Sequence, residues 1–227
     1  MDQPLASMVE REVRIPTGNE AVAGDLIVPA GAKALVVFAH GSGSSRRSPR
    51  NAWVAGQFQH DAIATLLFDL LTPTEERRDA VTAEHRFDIP LLGRRLVQVV
   101  DWCATQPELG AMPLGLFGAS TGSAAALVAA AGRADRVRAV VSRGGRPDLA
   151  GSALPLVAAP TLLIVGSRDE PVIDMNRDAM ARMTAPVALE IVKGASHLFE
   201  EPGTLDRVAE LAGDWFTRHL RAKTTAS

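Results

Sequence analysis

Short apolar runs recur along the chain with helical stretches between them. Val13–Ile15 and Asp25–Val28 flank a Gly/Asn turn, which predicts a β-hairpin. Ala34–Ala39 (A-L-V-V-F-A) is apolar throughout, as expected for a strand covered on both faces. Ile63–Phe68, Pro113–Phe117, Val137–Ser142, Thr161–Val165 and Val187–Val192 read the same way. Asn51–Asp61 reads as a helix. In Asp88–Gln106, Leu92, Leu96, Val99, Val100 and Cys103 recur at helical spacing, which predicts a long amphipathic helix. Further helices are predicted over Thr121–Gly132, Val172–Met183 and Thr204–Leu220. Asp69–Phe87 is polar and reads as a charged loop with at most one helical turn. Residues 1–10 and 221–227 are expected to be flexible ends.

Eight strands alternating with helices imply an α/β fold: a mostly parallel sheet flanked by helices on both faces. No internal repeat or linker divides the 227 residues, so a single domain is expected. Ser142–Pro160 leaves room only for a short connection, which predicts no cap domain and an open, shallow site.

The net charge of −2 gives no basic footprint for nucleic acid. No apolar run approaches the roughly 18 residues of a membrane span, and the first residues lack the apolar core of a signal peptide. With one cysteine, Cys103, no intrachain disulfide can form. A cytoplasmic protein, monomeric or homodimeric, is expected. Neither H-E-x-x-H nor paired C-x-x-C occurs, so no metal is expected. Gly41–Ser45 lacks the Gly-Lys-Ser/Thr ending of a P-loop, and Arg46 stands where a dinucleotide motif needs glycine. No cofactor is therefore expected.

The chemistry concentrates in Gly118-Ala119-Ser120-Thr121-Gly122, between a strand and an Ala-rich helix. A serine on such a strand-to-helix turn is exposed above the sheet edge, and glycines on either side avoid clashes. Two partners follow other strand ends: Asp169 after Thr161–Val165 and His197 after Val187–Val192. The order Ser, Asp, His fits a nucleophile, an acid that orients the imidazole, and a general base. The expected oxyanion donors are the N–H of Thr121, at a helix start, and that of Ser42, in the loop His40–Ser45. Asp69 is read as a loop-ordering acid and His40 as a structural ring. Arg46 follows the loop His40–Ser45 and Arg143 the strand ending at Ser142; both regions should rim the site, and either arginine is a candidate for an anionic substrate group.

On these residues, from Ala34 to Leu220, the chain resembles α/β-hydrolases of the dienelactone-hydrolase-like group. The resemblance implies an eight-stranded lidless fold and a Ser120-His197-Asp169 triad. It departs from dienelactone hydrolases proper in three ways. Ser120 replaces their cysteine, Gly41 their oxyanion-loop glutamate, and Glu200-Glu201 stands where they carry an arginine after the histidine. Similar sequences also occur fused to phosphoribosyltransferase domains. The expected substrate is a small carboxylic ester. Thioesters, lactones, peptides, acyl transfer and a non-catalytic binding domain are the alternatives.

Overall fold

The computed structural model describes residues 8–221. It holds one eight-stranded sheet of order β1-β2-β4-β3-β5-β6-β7-β8. The strands are β1 (Met8–Thr17), β2 (Glu20–Pro29), β3 (Leu35–Ala39), β4 (Ala64–Phe68), β5 (Leu114–Ala119), β6 (Val137–Arg143), β7 (Thr161–Gly166) and β8 (Val187–Val192). β1 and β2 form the expected hairpin, β2 joins β4 antiparallel, and all later pairings are parallel.

Side-chain alternation divides the core in two. Leu35, Val37, Leu66 and Leu116 face α3 (Ile89–Thr105) and α4 (Thr121–Gly132), meeting Leu96, Val100 and Leu127. Val36, Phe38, Phe117 and Val141 face the opposite way. There they meet α1 (Pro49–His60) and α6 (Thr204–His219) through Phe58 and Phe216. The Phe38 and Phe117 rings stack 4.8 Å apart, and Phe58 meets Phe216 edge-on at 5.6 Å. α5 (Glu170–Arg182) packs beside β7 and β8. Cys103 lies in this core, where burial pushes its thiol up to about 12, so it is an inert packing residue.

Two expectations are revised. Met8–Glu10 are not a flexible end, because they pair with Pro29–Ile27 in the hairpin; residues 1–7 and 222–227 lie outside the described residues, and Arg221 donates to the Thr217 carbonyl. The charged stretch Asp69–Phe87 contains a full helix, α2 (Pro73–Thr82). It starts on a reciprocal capping box between Thr72 and Glu75, with a proline in its first turn. Between β6 and β7 the chain forms a 3₁₀ segment, Pro147–Leu156, kinked at Gly151. No cap covers the carboxyl ends of the strands among the described residues, where ligands gather in sheets of this kind.

Candidate functional site

Ser120 occupies the sharp turn from β5 into α4 with φ 51° and ψ −122°, a conformation that L-residues rarely hold. Its backbone is clamped from both sides. Its N–H donates to the Arg143 carbonyl (3.2 Å), and its carbonyl accepts from Ser123 N–H (3.1 Å), Ser123 Oγ (2.7 Å) and Arg146 N–H (3.1 Å). A Cβ at Gly118 would strike the Ser123 backbone, and one at Gly122 the carbonyls of Ala39 and His40. The two glycines therefore let helix, strand and the loop that begins at His40 close around the serine. The turn is held by backbone bonds, and among the described residues the hydroxyl makes no hydrogen bond.

Asp169 precedes α5 at the capping position, yet its carboxylate does not cap that helix. It instead faces His197, with Nδ1 and Oδ2 2.6 Å apart. The two loops that carry them are tied together: Gly194 N–H donates to Ser167 Oγ (2.8 Å) and Arg168 N–H to the Ala195 carbonyl (2.9 Å). Ser196 N–H donates to Glu201 (3.0 Å), which holds that carboxyl below its ordinary range. The neighbouring carboxylate Asp174 pairs with Arg177 at the surface.

Gly144, one residue beyond β6, links the two halves. A Cβ there would lie 3.0 Å from the His197 carbonyl and 3.7 Å from its Cε1. The imidazole thus packs over the end of β6, beside the residue that accepts the Ser120 N–H. Among the described residues no hydrogen bond joins Ser120 Oγ to the imidazole. The His197 side chain is 40% exposed and that of Asp169 15%, so the imidazole opens to solvent while the carboxylate is shielded.

His40 Nε2 accepts the Leu70 N–H (3.0 Å), so its proton sits on Nδ1 and is donated to the Gly41 carbonyl (2.9 Å). Burial holds this ring below its ordinary pKa, against the smaller opposing pulls of the Gly41 carbonyl, Asp69 and Glu76. The unfolded chain therefore takes the proton first. This contribution to stability is complete above about pH 6.5 and is lost as pH falls below it. We expect thermal denaturation between pH 8 and pH 5 to show a steeper loss in wild type than in His40→Asn. Parallel curves would remove His40 from this role.

Gly41 packs 3.0 Å, by its absent Cβ, from the Ser120 Cβ, so a larger side chain there would crowd the serine. Ser42 N–H donates to Thr121 Oγ1 (2.9 Å), and both residues line a small groove with Leu70, Leu71, Leu92 and Arg86.

The two candidate arginines differ. Arg46 is a structural hub: its Nε, Nη1 and Nη2 face Asp25 (3.0 Å), Asp69 (2.9 Å) and Glu12 (3.1 Å). Asp69 also accepts the Arg46 N–H, as a loop-ordering acid would. The guanidinium has an acidic partner on each nitrogen, so the expectation of substrate binding at Arg46 is withdrawn on charge grounds. Arg143 is buried, among the described residues without a carboxylate partner, and burial, then Arg50, pushes it down to about 10. Arg50 and Asn51 stand beside it at the start of α1. Sequence reasoning overlooked both; their position two and three residues after a helix-capping Ser48 was the only signal.

An α/β-hydrolase domain profile matches residues 32–210. The chain belongs to the α/β-hydrolase family. Its dienelactone-hydrolase-like character follows from a crystal structure named as dienelactone hydrolase from Anabaena variabilis. That protein is 55% identical with a TM-score of 0.93, over 94% of this chain and 99% of that one. Est1E from Butyrivibrio proteoclasticus shares the α/β-hydrolase fold at 14% identity, with a TM-score of 0.76 over 92% of this chain and 98% of its own. A Mycobacterium tuberculosis protein bearing the provisional name of a phosphoribosyl transferase is 56% identical over 219 residues. The match takes in 96% of this chain but 48% of that protein, so this α/β-hydrolase chain spans about half the length of that relative. Among the described residues no helix is long and apolar enough to cross a membrane, and no three His, Cys, Asp or Glu side chains are grouped to hold a metal.

Proposed function

We propose that this α/β-hydrolase cleaves small carboxylic esters through an acyl intermediate on Ser120. The observation that carries the reading is the 2.6 Å Asp169–His197 pair, together with a serine on a strained turn whose hydroxyl makes no hydrogen bond among the described residues. Asp169 fixes the imidazole with its proton on Nδ1, leaving Nε2 free to take the Ser120 proton during attack on the ester carbonyl. Turning the half-buried Ser120 hydroxyl toward Nε2 on substrate binding completes the row. His197 then gives the proton to the departing alcohol, and water hydrolyses the acyl group by the same route in reverse. The absence of a cap among the described residues favours short, soluble acyl groups over long lipid chains.

The tetrahedral intermediate needs two N–H donors. Thr121 N–H lies at the start of α4, where the helix dipole favours negative charge. Ser42 N–H is the second, and it must first leave Thr121 Oγ1. That bond stabilises the resting enzyme and not the transition state, so it subtracts from catalysis. We expect Thr121→Val, nearly equal in shape, to keep or raise kcat while lowering stability by about 1 kcal/mol. A tenfold fall in kcat with the fold intact would instead make the threonine hydroxyl itself a donor.

The phosphoribosyl transferase name belongs to a protein about twice as long. We assign that chemistry to the half this chain does not match. The test is a panel of 4-nitrophenyl esters of graded acyl length with Ser120→Ala alongside. Turnover declining with chain length and lost in the variant supports the reading. Turnover equal in the variant removes it.

A further inference from the structure

Arg143 is 8% exposed, and among the described residues no carboxylate lies within ion-pair distance of it. Its Nη2 reaches Asn51 Oδ1 only at 3.5 Å, while Nε and Nη1 are buried with no hydrogen-bond partner. The charge that acts on it is another cation, Arg50, whose own Nε is buried and, among the described residues, unpartnered as well. Arg50 and Asn51 lie in the first turn of α1, where the helix dipole adds further positive potential. Burying an unpaired guanidinium is costly, and packed interiors of stable proteins avoid it. Three unsatisfied guanidinium nitrogens at one helix start therefore make an incomplete arrangement that an anion would complete.

The place is as informative as the charge. Arg143 pairs in register with Ala119, its carbonyl holds the Ser120 N–H, and Gly144 beside it supports His197. On the outer side, Arg50 Nη1 meets Glu200 at 3.1 Å, and that carboxylate is 63% exposed. Glu200 is a displaceable competitor, present where an incoming acid would arrive. Arg46, with a carboxylate on each nitrogen, offers no such opening.

We propose that Arg143, Arg50 and the first turn of α1 form an anion subsite, so that the preferred ester carries a carboxylate or phosphate group near its scissile carbonyl. This rests on Ser120 as the nucleophile and adds the substrate class. The guanidinium of Arg143 binds that group, Arg50 exchanges Glu200 for it, and Asn51 orients Arg143. A planar fork suits either oxyanion.

The test compares kcat/KM for 4-nitrophenyl butyrate with that for 4-nitrophenyl hemisuccinate, which has the same acyl length and a terminal carboxylate, each corrected for spontaneous hydrolysis. Wild type is expected to favour the hemisuccinate at least tenfold. Arg143→Met should lose at least tenfold more on the acidic than on the neutral ester, chiefly in KM, with partial recovery in Arg143→Lys. Arg50→Gln, at a half-exposed position, should shift the ratio the same way even if Arg143→Met does not fold. Arg46→Gln should not shift it. Thermal protection of wild type by succinate or by inorganic phosphate, against chloride at equal ionic strength, tells which oxyanion is held, and Arg50→Gln should weaken it. A ratio unmoved by both Arg143→Met and Arg50→Gln overturns the subsite. Labelling of Ser120 by a fluorophosphonate in that same preparation would show that the hydrolase reading survives its loss.

Discussion

Ser120→Ala is expected to lower kcat on a short-chain 4-nitrophenyl ester by at least about 10⁴-fold while leaving the melting temperature within a few degrees of wild type. The two halves of this result have separate causes. Activity falls because the oxygen that attacks the carbonyl is gone, and neither His197 nor the oxyanion donors can supply another covalent route. The fold persists because the strained turn is held by main-chain bonds to Arg143, Ser123 and Arg146, none of which uses the Ser120 hydroxyl. Alanine keeps the Cβ that the turn already tolerates. A variant that unfolds would place structural duty on the hydroxyl. A folded variant with more than one per cent of wild-type kcat would mean that turnover uses another nucleophile.

Gly122→Ala is expected to have the largest effect on stability. The added methyl would lie on the carbonyls of Ala39 and His40, main-chain atoms at the end of β3 that cannot rotate aside. Relief requires α4 to move off the sheet, which would also move Thr121 N–H. Overpacking against main-chain atoms falls at the upper end of the usual range, about 3 kcal/mol. In a chain of this size that lowers the melting temperature by roughly 6–12 °C. The control is Gly56→Ala within α1, where a Cβ meets nothing within 4 Å. There the better helix propensity of alanine should leave stability unchanged or raise it by up to about 1 kcal/mol. Differential scanning calorimetry of both variants separates the steric cause from a general intolerance of glycine replacement; equal melting temperatures would contradict it.

Much of this architecture was legible because local chemistry and long-range packing agree. Buried parallel strands are apolar throughout, so Ala34–Ala39 and Thr161–Val165 announce themselves without knowledge of their neighbours. The turn at Ser120 is marked by glycines whose need is local and severe. α2 escaped the pattern because PTEERRDAVT has no apolar stripe; its signal was the Thr72-Pro73-x-Glu75 start, a matter of capping and not of periodicity. The extension of β1 to Met8 depends on cross-strand partners in β2, which a polar run does not disclose.

The arginines mark the boundary most clearly. Arg46 and Arg143 look alike in sequence, one after the loop His40–Ser45 and the other after the strand ending at Ser142, both expected at the rim. What separates them is the set of carboxylates around each, and Glu12 and Asp25 reach Arg46 from the hairpin strands. Likewise, Ser42 and Thr121 are both readable as sources of oxyanion donors, but the bond by which one occupies the other exists only once the loop meets the helix start.

The most direct measurement is the site of covalent modification. The full chain would be treated with a fluorophosphonate, and the adduct located by peptide mass mapping in wild type, His197→Ala and Asp169→Asn. A stoichiometric adduct on Ser120 in wild type, with much slower labelling in both variants, is the expected result. An adduct on a different residue, or none on the folded protein, would contradict a nucleophilic Ser120 served by His197 and Asp169.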